Sequence, residues 1–177
     1  MRRVCYAVAM SLDGYIAGPN GEADWIIMDP DIDFGALFDR FDTFLLGRRT
    51  FEGMAAAGGG AQSSTQTIIF SRTLRQEDHP EVTIVSEDPQ QALTALRSRP
   101  GAKDIWLFGG GTLFRSLLEA RQVDVVEVSV IPVLLGEGIP LLAPTPSSER
   151  FKLKLTGSRA FQTGIVSLEY AVEYEPT

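Results

Sequence analysis

The order of strand-like and helix-like runs constrains this chain more than any single motif. Short apolar or β-branched runs, "RVCYAVAM", "TFLLG", "TQTIIFS", "EVTIVS", "DIWLF" and "VDVVEVSVI", recur through about the first 130 residues. Segments with helical periodicity lie between most of them. "DFGALFDRF" places Phe34, Leu37, Phe38 and Phe41 at helical spacing, with Asp33 ahead of them as an N-cap. "RRTFEGM" opens a second helix directly after Gly47, and the small-residue stretch "AAAGGGAQSS" that follows reads as a flexible loop. "DPQQALTALRS" has Asp88 as a cap and Pro89 at the first helical position. "GGTLFRSLLEA" aligns Leu113, Leu117 and Leu118. The last two runs, "FKLKLTGSRAF" and "GIVSLEYAVEY", face each other across "QTG" as a hairpin. The alternation predicts an α/β fold over residues 1–177. A central, mostly parallel sheet is flanked by helices and ends in an antiparallel C-terminal hairpin.

Charge and residue usage narrow the function. The net charge of −7 repels nucleic-acid backbones, so no nucleic-acid partner is expected. No run of 18 apolar residues predicts a membrane span. The single cysteine, Cys5, stands in an apolar run and reads as a buried, reduced thiol, which fits a cytoplasmic compartment. One cysteine and one histidine do not make a typical transition-metal site, so no metal is expected. His79, in the polar stretch "QEDHPE", reads as an exposed loop residue without a role. The long run "VDVVEVSVI" and the final hairpin offer extended strand edges, and a homodimer that covers them is expected.

Glycine-rich junctions carry the chemistry. In "DIWLFGGGTLF", Gly109, Gly110 and Gly111 stand between a strand and a helix. Backbone without side chains can approach a phosphate, and helix-start amides point at it. The same triplet also suits a tight turn. "GK[ST]" is absent and the last glycine of GxGxxG is missing, so neither the Walker nor the Rossmann fingerprint applies. "LLGRRTFEGM" repeats the arrangement, with Arg48, Arg49 and Thr50 at a helix start. Cations there oppose the helix dipole unless an anion balances them, although solvated arginines are the simpler alternative. "IIFSRTL" puts Ser71 and Arg72 just beyond a third strand. Three such strand ends point to one long phosphate-bearing ligand, with a dinucleotide the economical choice.

The ordered set "AVAMSLDGYIAG", "DTFLLGRRTFEGM", "TIIFSRTL", "IWLFGGGTLFRSLL" and "VDVVEVSVIPVLLGEGIPLL" resembles the dihydrofolate reductase-like superfamily. Within it, the chain is most similar to the C-terminal reductase domain of riboflavin-biosynthesis enzymes and its stand-alone relatives. The resemblance implies NADPH-dependent hydride transfer to a small heterocycle. It places Ala9 to Ile16 along the nicotinamide, and Gly47, Arg48 and Thr50 at the cofactor phosphates. Ser71 and Arg72 fall at the adenosine 2′-phosphate. Gly110, Gly111 and Thr112 clasp the pyrophosphate, with Phe108, Gly109 and Leu113 beside them, and Gly109–Gly110 is a candidate cis peptide. Ser129 borders the substrate.

Asp33 is the carboxylate chosen for catalysis, with Asp29 and Asp31 nearby and a plain helix cap as the alternative. Asp13 is a candidate substrate ligand or a turn device, and Trp25 covers the site or simply packs. Tyr15 stands where the riboflavin-type reductases usually carry a lysine after "SLDG". Two other functions stay open: a dihydrofolate reductase acting on a pterin, and a nucleotide-binding module without turnover.

Overall fold

The computed structural model describes residues 1–56, 65–86, 88–99, 103–146 and 149–175. Most of the stretch read as a loop after the second helix lies outside them. The expected alternation is present. Strands β1 (Val4–Ser11), β3 (Phe41–Gly47), β4 (Gln66–Phe70), β5 (Thr83–Val85), β6 (Asp104–Gly109) and β7 (Val125–Ile131) run parallel. Strands β9 (Lys152–Ala160) and β10 (Val166–Glu173) form the final hairpin. The sheet order is β5-β4-β3-β6-β1-β7-β10-β9, and β10 pairs antiparallel with both neighbours.

Successive strand residues point to opposite faces, so the sheet feeds two cores. Val4, Tyr6, Leu45, Ile105 and Leu107 meet Leu93 and Leu96 of α3 (Pro89–Arg97) and Phe114, Leu117 and Leu118 of α4 (Gly111–Glu119). Tyr6 stacks on Phe114 with centroids 3.8 Å apart, worth roughly 0.5–1.5 kcal/mol beyond its burial. Cys5, Ala7, Phe44, Leu46 and Trp106 meet α1 (Phe34–Asp39) and α2 (Arg48–Ala56) on the other face. Cys5 is fully buried, and desolvation pushes its thiol up to about 12.

Four expectations need correction. The first helix stops at Asp39, and Phe41 opens β3, where it packs against Trp106; its helical spacing was coincidental. The loop regions hide a small second sheet, β2 (Tyr15–Ala17) on β8 (Ile139–Pro140), too short for a pattern of alternation. β7 lies inside the sheet between β1 and β10, so the exposed edges are β5 and β9. His79 is half-buried and sets its ring edge-on to Phe51 of α2.

The amino ends of the strands are closed by ion pairs. Buried Arg2 binds Asp42, Thr43 Oγ1 and the Lys103 carbonyl. Arg3 pairs with Asp104 at 2.7 Å and Arg97 with Asp124 at 2.8 Å.

Candidate functional site

Because β4, β3, β6, β1 and β7 are parallel neighbours, their carboxyl ends share one edge. Arg72 follows β4, Gly47 and Arg48 join β3 to α2, Gly109 to Gly111 join β6 to α4, and Ala9 lies near the end of β1. Three strand spacings, about 14 Å, separate the ends of β4 and β1. The strand-end junctions therefore stand side by side in the order β4, β3, β6.

The glycines divide by what faces them. A Cβ on Gly47 would lie 3.8 Å from the Gly109 carbonyl oxygen, and one on Gly110 would lie 3.3 Å from Thr50 Oγ1. Gly47, Thr50, Gly109 and Gly110 thus adjoin one another where α2 and α4 begin. The Gly109–Gly110 peptide is cis, and Gly109 has φ +146°, a backbone angle that favours glycine. Gly110 is the N-cap of α4 and has no side chain to accept from its first-turn amides. Gly111 is the most tightly faced of the four glycines. A Cβ there would sit 2.6 Å from the Pro140 carbonyl oxygen and 3.1 Å from that of Leu141. The third glycine lets the 140–143 segment lie on α4. Leu113 is a core residue, and Phe108 packs against Phe44 and Trp106. Their side chains belong to the scaffold. Thr112 is exposed on the first turn of α4.

The cations differ in the same way. Arg48 Nη1 donates to both carboxylate oxygens of Glu52, one helical turn on, at 3.0 and 2.9 Å. Glu52 supplies an anion for one helix-start arginine, and its i,i+4 spacing from Arg48 was a readable signal. Arg49 and Arg72 are exposed and form no ion pair among the described residues. Ser71 is buried, and its Oγ accepts from the amides of Thr73 at 3.2 Å and Leu74 at 3.0 Å, which fixes the turn that carries Arg72.

On the other side of β6, loops are pinned by carboxylates. Asp13 accepts from Ser11 Oγ at 2.6 Å, from the Gly136 amide at 2.7 Å and from the Leu135 amide at 3.1 Å. Those donors, the Ser11 hydroxyl first, hold its pKa down at about 2. Both oxygens are engaged, so Asp13 is a latch between two loops. Tyr15 joins the same knot through its amide to Ser11 Oγ, and Ile16 sits in the short β2.

The three aspartates separate as well. Asp29 is 3% exposed and accepts from Thr163 Oγ1 at 2.6 Å, the Thr163 amide at 3.3 Å and the Asp31 amide at 2.8 Å. The Thr163 hydroxyl is the main cause of its lowered pKa. It ties the 18–33 loop to the β9–β10 turn. Asp31 is exposed. Asp33 caps α1 through Oδ1, which accepts from the Ala36 amide at 2.9 Å. The indole N–H of Trp25 donates locally to the Glu22 carbonyl.

Next to Ala9 on β7 stands Ser129, and across from it on β10 stands Ser167; their hydroxyl oxygens are 3.0 Å apart. Two residues back, Glu127 takes a bidentate ion pair from Arg40 at the end of α1. The Asp29–Thr163, Arg40–Glu127 and Ser129–Ser167 contacts join residues 134, 87 and 38 positions apart, and no local signal announces them. A shallow recess lined by Asp88, Gln90 and Thr94 runs along the solvent face of α3 and shares no residue with these groups.

Comparison with known proteins identifies the family and the fold. The model of the RibD C-terminal domain matches residues 2–167. The chain belongs to that family. YyaP of Bacillus subtilis, an uncharacterized protein, is 34% identical over 181 residues, covering 96% of this chain and 94% of its own. A putative riboflavin biosynthesis protein from Shewanella sp. PV-4 superposes with a TM-score of 0.81 at 24% identity, covering 98% of this chain and all of its own. Dihydrofolate reductase from Enterococcus faecalis, complexed with NADP(H) and RAB-propyl, gives 0.66 at 19% identity, with 97% of each chain covered. The fold is dihydrofolate reductase-like, and the RibD family places the chain among reductases related to riboflavin biosynthesis.

Proposed function

We propose that this chain binds NADPH along the carboxyl edge of the sheet and reduces a small heterocycle of the pyrimidine or pterin class. One observation carries the reading: the strand-end groups at Arg72, Thr50 and Gly109–Gly110 are consecutive in space, and their line leads to Ala9 on β1. The donor set fits the cofactor. Bare backbone and the starts of α2 and α4 suit a pyrophosphate, and Arg72 supplies the charge that a 2′-phosphate requires. Bound there, NADPH supplies a hydride. The protein's part is to align it over Ala9, to hold the 18–33 loop through Asp29, and to present the substrate from the β7–β10 side. Asp33, whose Oδ1 caps α1, is the carboxylate assigned to proton transfer through its other oxygen. The pyrimidine reading rests on the RibD family and the pterin reading on the dihydrofolate reductase-like fold.

A reducing, cytoplasmic setting suits the buried Cys5 thiol. A two-fold homodimer would use β9, whose Leu153 and Leu155 are 44% and 53% exposed; light scattering that shows a monomer at micromolar concentration rejects it.

The test follows NADPH binding by fluorescence and its oxidation in the presence of a diaminouracil and a dihydropterin. The reading expects NADPH to bind more tightly than NADH and to be oxidised by one of the two. Binding without any oxidation favours the nucleotide-binding module. Absence of binding rejects the reading.

A further inference from the structure

We propose that Ser167 acts with Ser129 as one substrate-reading pair, selecting heterocycles that present an N–H and a C=O side by side on one ring edge. The proposal rests on the reading above for the nearby cofactor, but its own evidence is separate. Ser129 and Ser167 are exact register partners across β7 and β10, and Ala9 is the register partner of Ser129 on β1. The three residues form one row, in which alternation puts their side chains on the same face of the sheet. The row has definite borders. On one side, Ser11 and Ile131 are also register partners and are buried. On the other, the Arg40–Glu127 ion pair ties α1 to β7. The two half-buried hydroxyls therefore lie between a closed row and a fixed charge pair.

Their chemistry selects an edge. A hydroxyl offers one donor and two acceptor positions. When one serine donates to the other, the second keeps its own O–H, and both oxygens keep lone pairs. The pair then presents a donor and an acceptor on atoms 3.0 Å apart, which complements a lactam or urea edge. Either oxygen can be the donor, so the pair can reverse its polarity and read such an edge in both orders. A valine at either position, the residue type that dominates β7, would present neither group. The competing explanation is an ordinary cross-strand hydrogen bond, which adds stability alone.

The experiment compares the parent with Ser129→Ala, Ser167→Ala, the double variant and Ser167→Thr. Probes are a diaminouracil, a dihydropterin and their analogues N-methylated on the lactam edge. Probe affinity is read by ligand-observed NMR, KM and kcat at saturating NADPH, NADPH affinity by fluorescence, and folding by Tm. Each alanine variant is expected to weaken the better unmethylated probe about tenfold, the scale of one lost hydrogen bond to a buried polar group. The double variant should lose less than the product of the two single losses, because the hydroxyls act together. Ser167→Thr should restore binding, the methylated analogue should be indifferent to every substitution, and NADPH affinity should hold. A fall in Tm with unchanged probe affinity overturns the proposal, as does a parent that binds neither probe. Serine-dependent probe binding in a protein that fails to bind NADPH supports the pair and rejects the cofactor reading.

Discussion

The two ends of the parallel sheet treat charge in opposite ways. At the amino ends, Arg2, Arg3 and Arg97 each meet an aspartate, and Arg2 is buried in doing so. At the carboxyl ends, Arg49 and Arg72 are exposed and meet no carboxylate among the described residues, although the chain carries 23 acidic residues. Arg48 is matched there by Glu52 on its own helix. A chain of net charge −7 has carboxylates to spare. On the proposed function, the uncompensated cations and bare helix starts at one edge await an anion from outside. One end then stores stability and the other, on that reading, stores binding.

Breaking each end should give different phenotypes. The largest effect is expected at the glycine junction. Gly110→Val puts a branched side chain against Thr50, where a Cβ alone already comes within 3.3 Å, and should abolish NADPH binding in a chain that still folds. Unfolding of that variant would make Gly110 a structural turn, and normal binding would place the ligand elsewhere. At the amino end, Arg2→Ala should cost about 3 kcal/mol in a urea titration, the low end for breaking a buried pair because Asp42 is 33% exposed. It should leave NADPH affinity unchanged in the protein that remains folded.

Gly111→Ala separates the triplet internally. Its Cβ would meet the Pro140 carbonyl, so it should destabilise by about 1–3 kcal/mol, with a smaller effect on binding than Gly110→Val. Arg72→Ala should weaken NADPH by roughly tenfold to a hundredfold while sparing NADH, since a charge-assisted bond contributes about 1.5–3 kcal/mol. Equal losses for both cofactors would assign Arg72 to parts they share.

The smallest effect concerns pH. The folded pKa of Asp13, about 2, lies below its ordinary 3.8, and Asp29 is also lowered. Their contributions are therefore fully present above about pH 4. They fade as pH falls through the folded values. Limited proteolysis of the 18–33 and 132–138 segments with an acid-active protease should accelerate between about pH 4 and 2. In an Asp13→Asn variant the Asp13 share of that acceleration should disappear.

The same division explains what the chain disclosed before folding. Gly47 with Arg48, Ser71 with Arg72, and Gly109 with Gly110 are each adjacent in sequence, so each strand-end junction could be read locally. The alternation of elements announced a mostly parallel sheet, but the strand order that brings these junctions together is set by long-range pairing and was not legible. The β7–β10 side could not be read in this way. Ser167, Arg40 and Thr163 act through partners far along the chain, and their residue types are ordinary for a strand, a helix end and a hairpin turn. Gly111 shows a further limit. Its need for a missing Cβ comes from the Pro140 carbonyl, and nothing within "GGGTLF" distinguishes it from Gly110. Phe41 failed in the opposite direction, fitting a helical pattern while belonging to a strand.

A crystal structure of the parent chain with NADPH tests the central claim most directly. The account predicts the 2′-phosphate at Arg72, the pyrophosphate between Thr50 and Gly110, and the nicotinamide over Ala9 with its open face toward Ser129 and Ser167. NADPH bound away from the β4, β3 and β6 strand ends, or a 2′-phosphate turned from Arg72 into solvent, would contradict it.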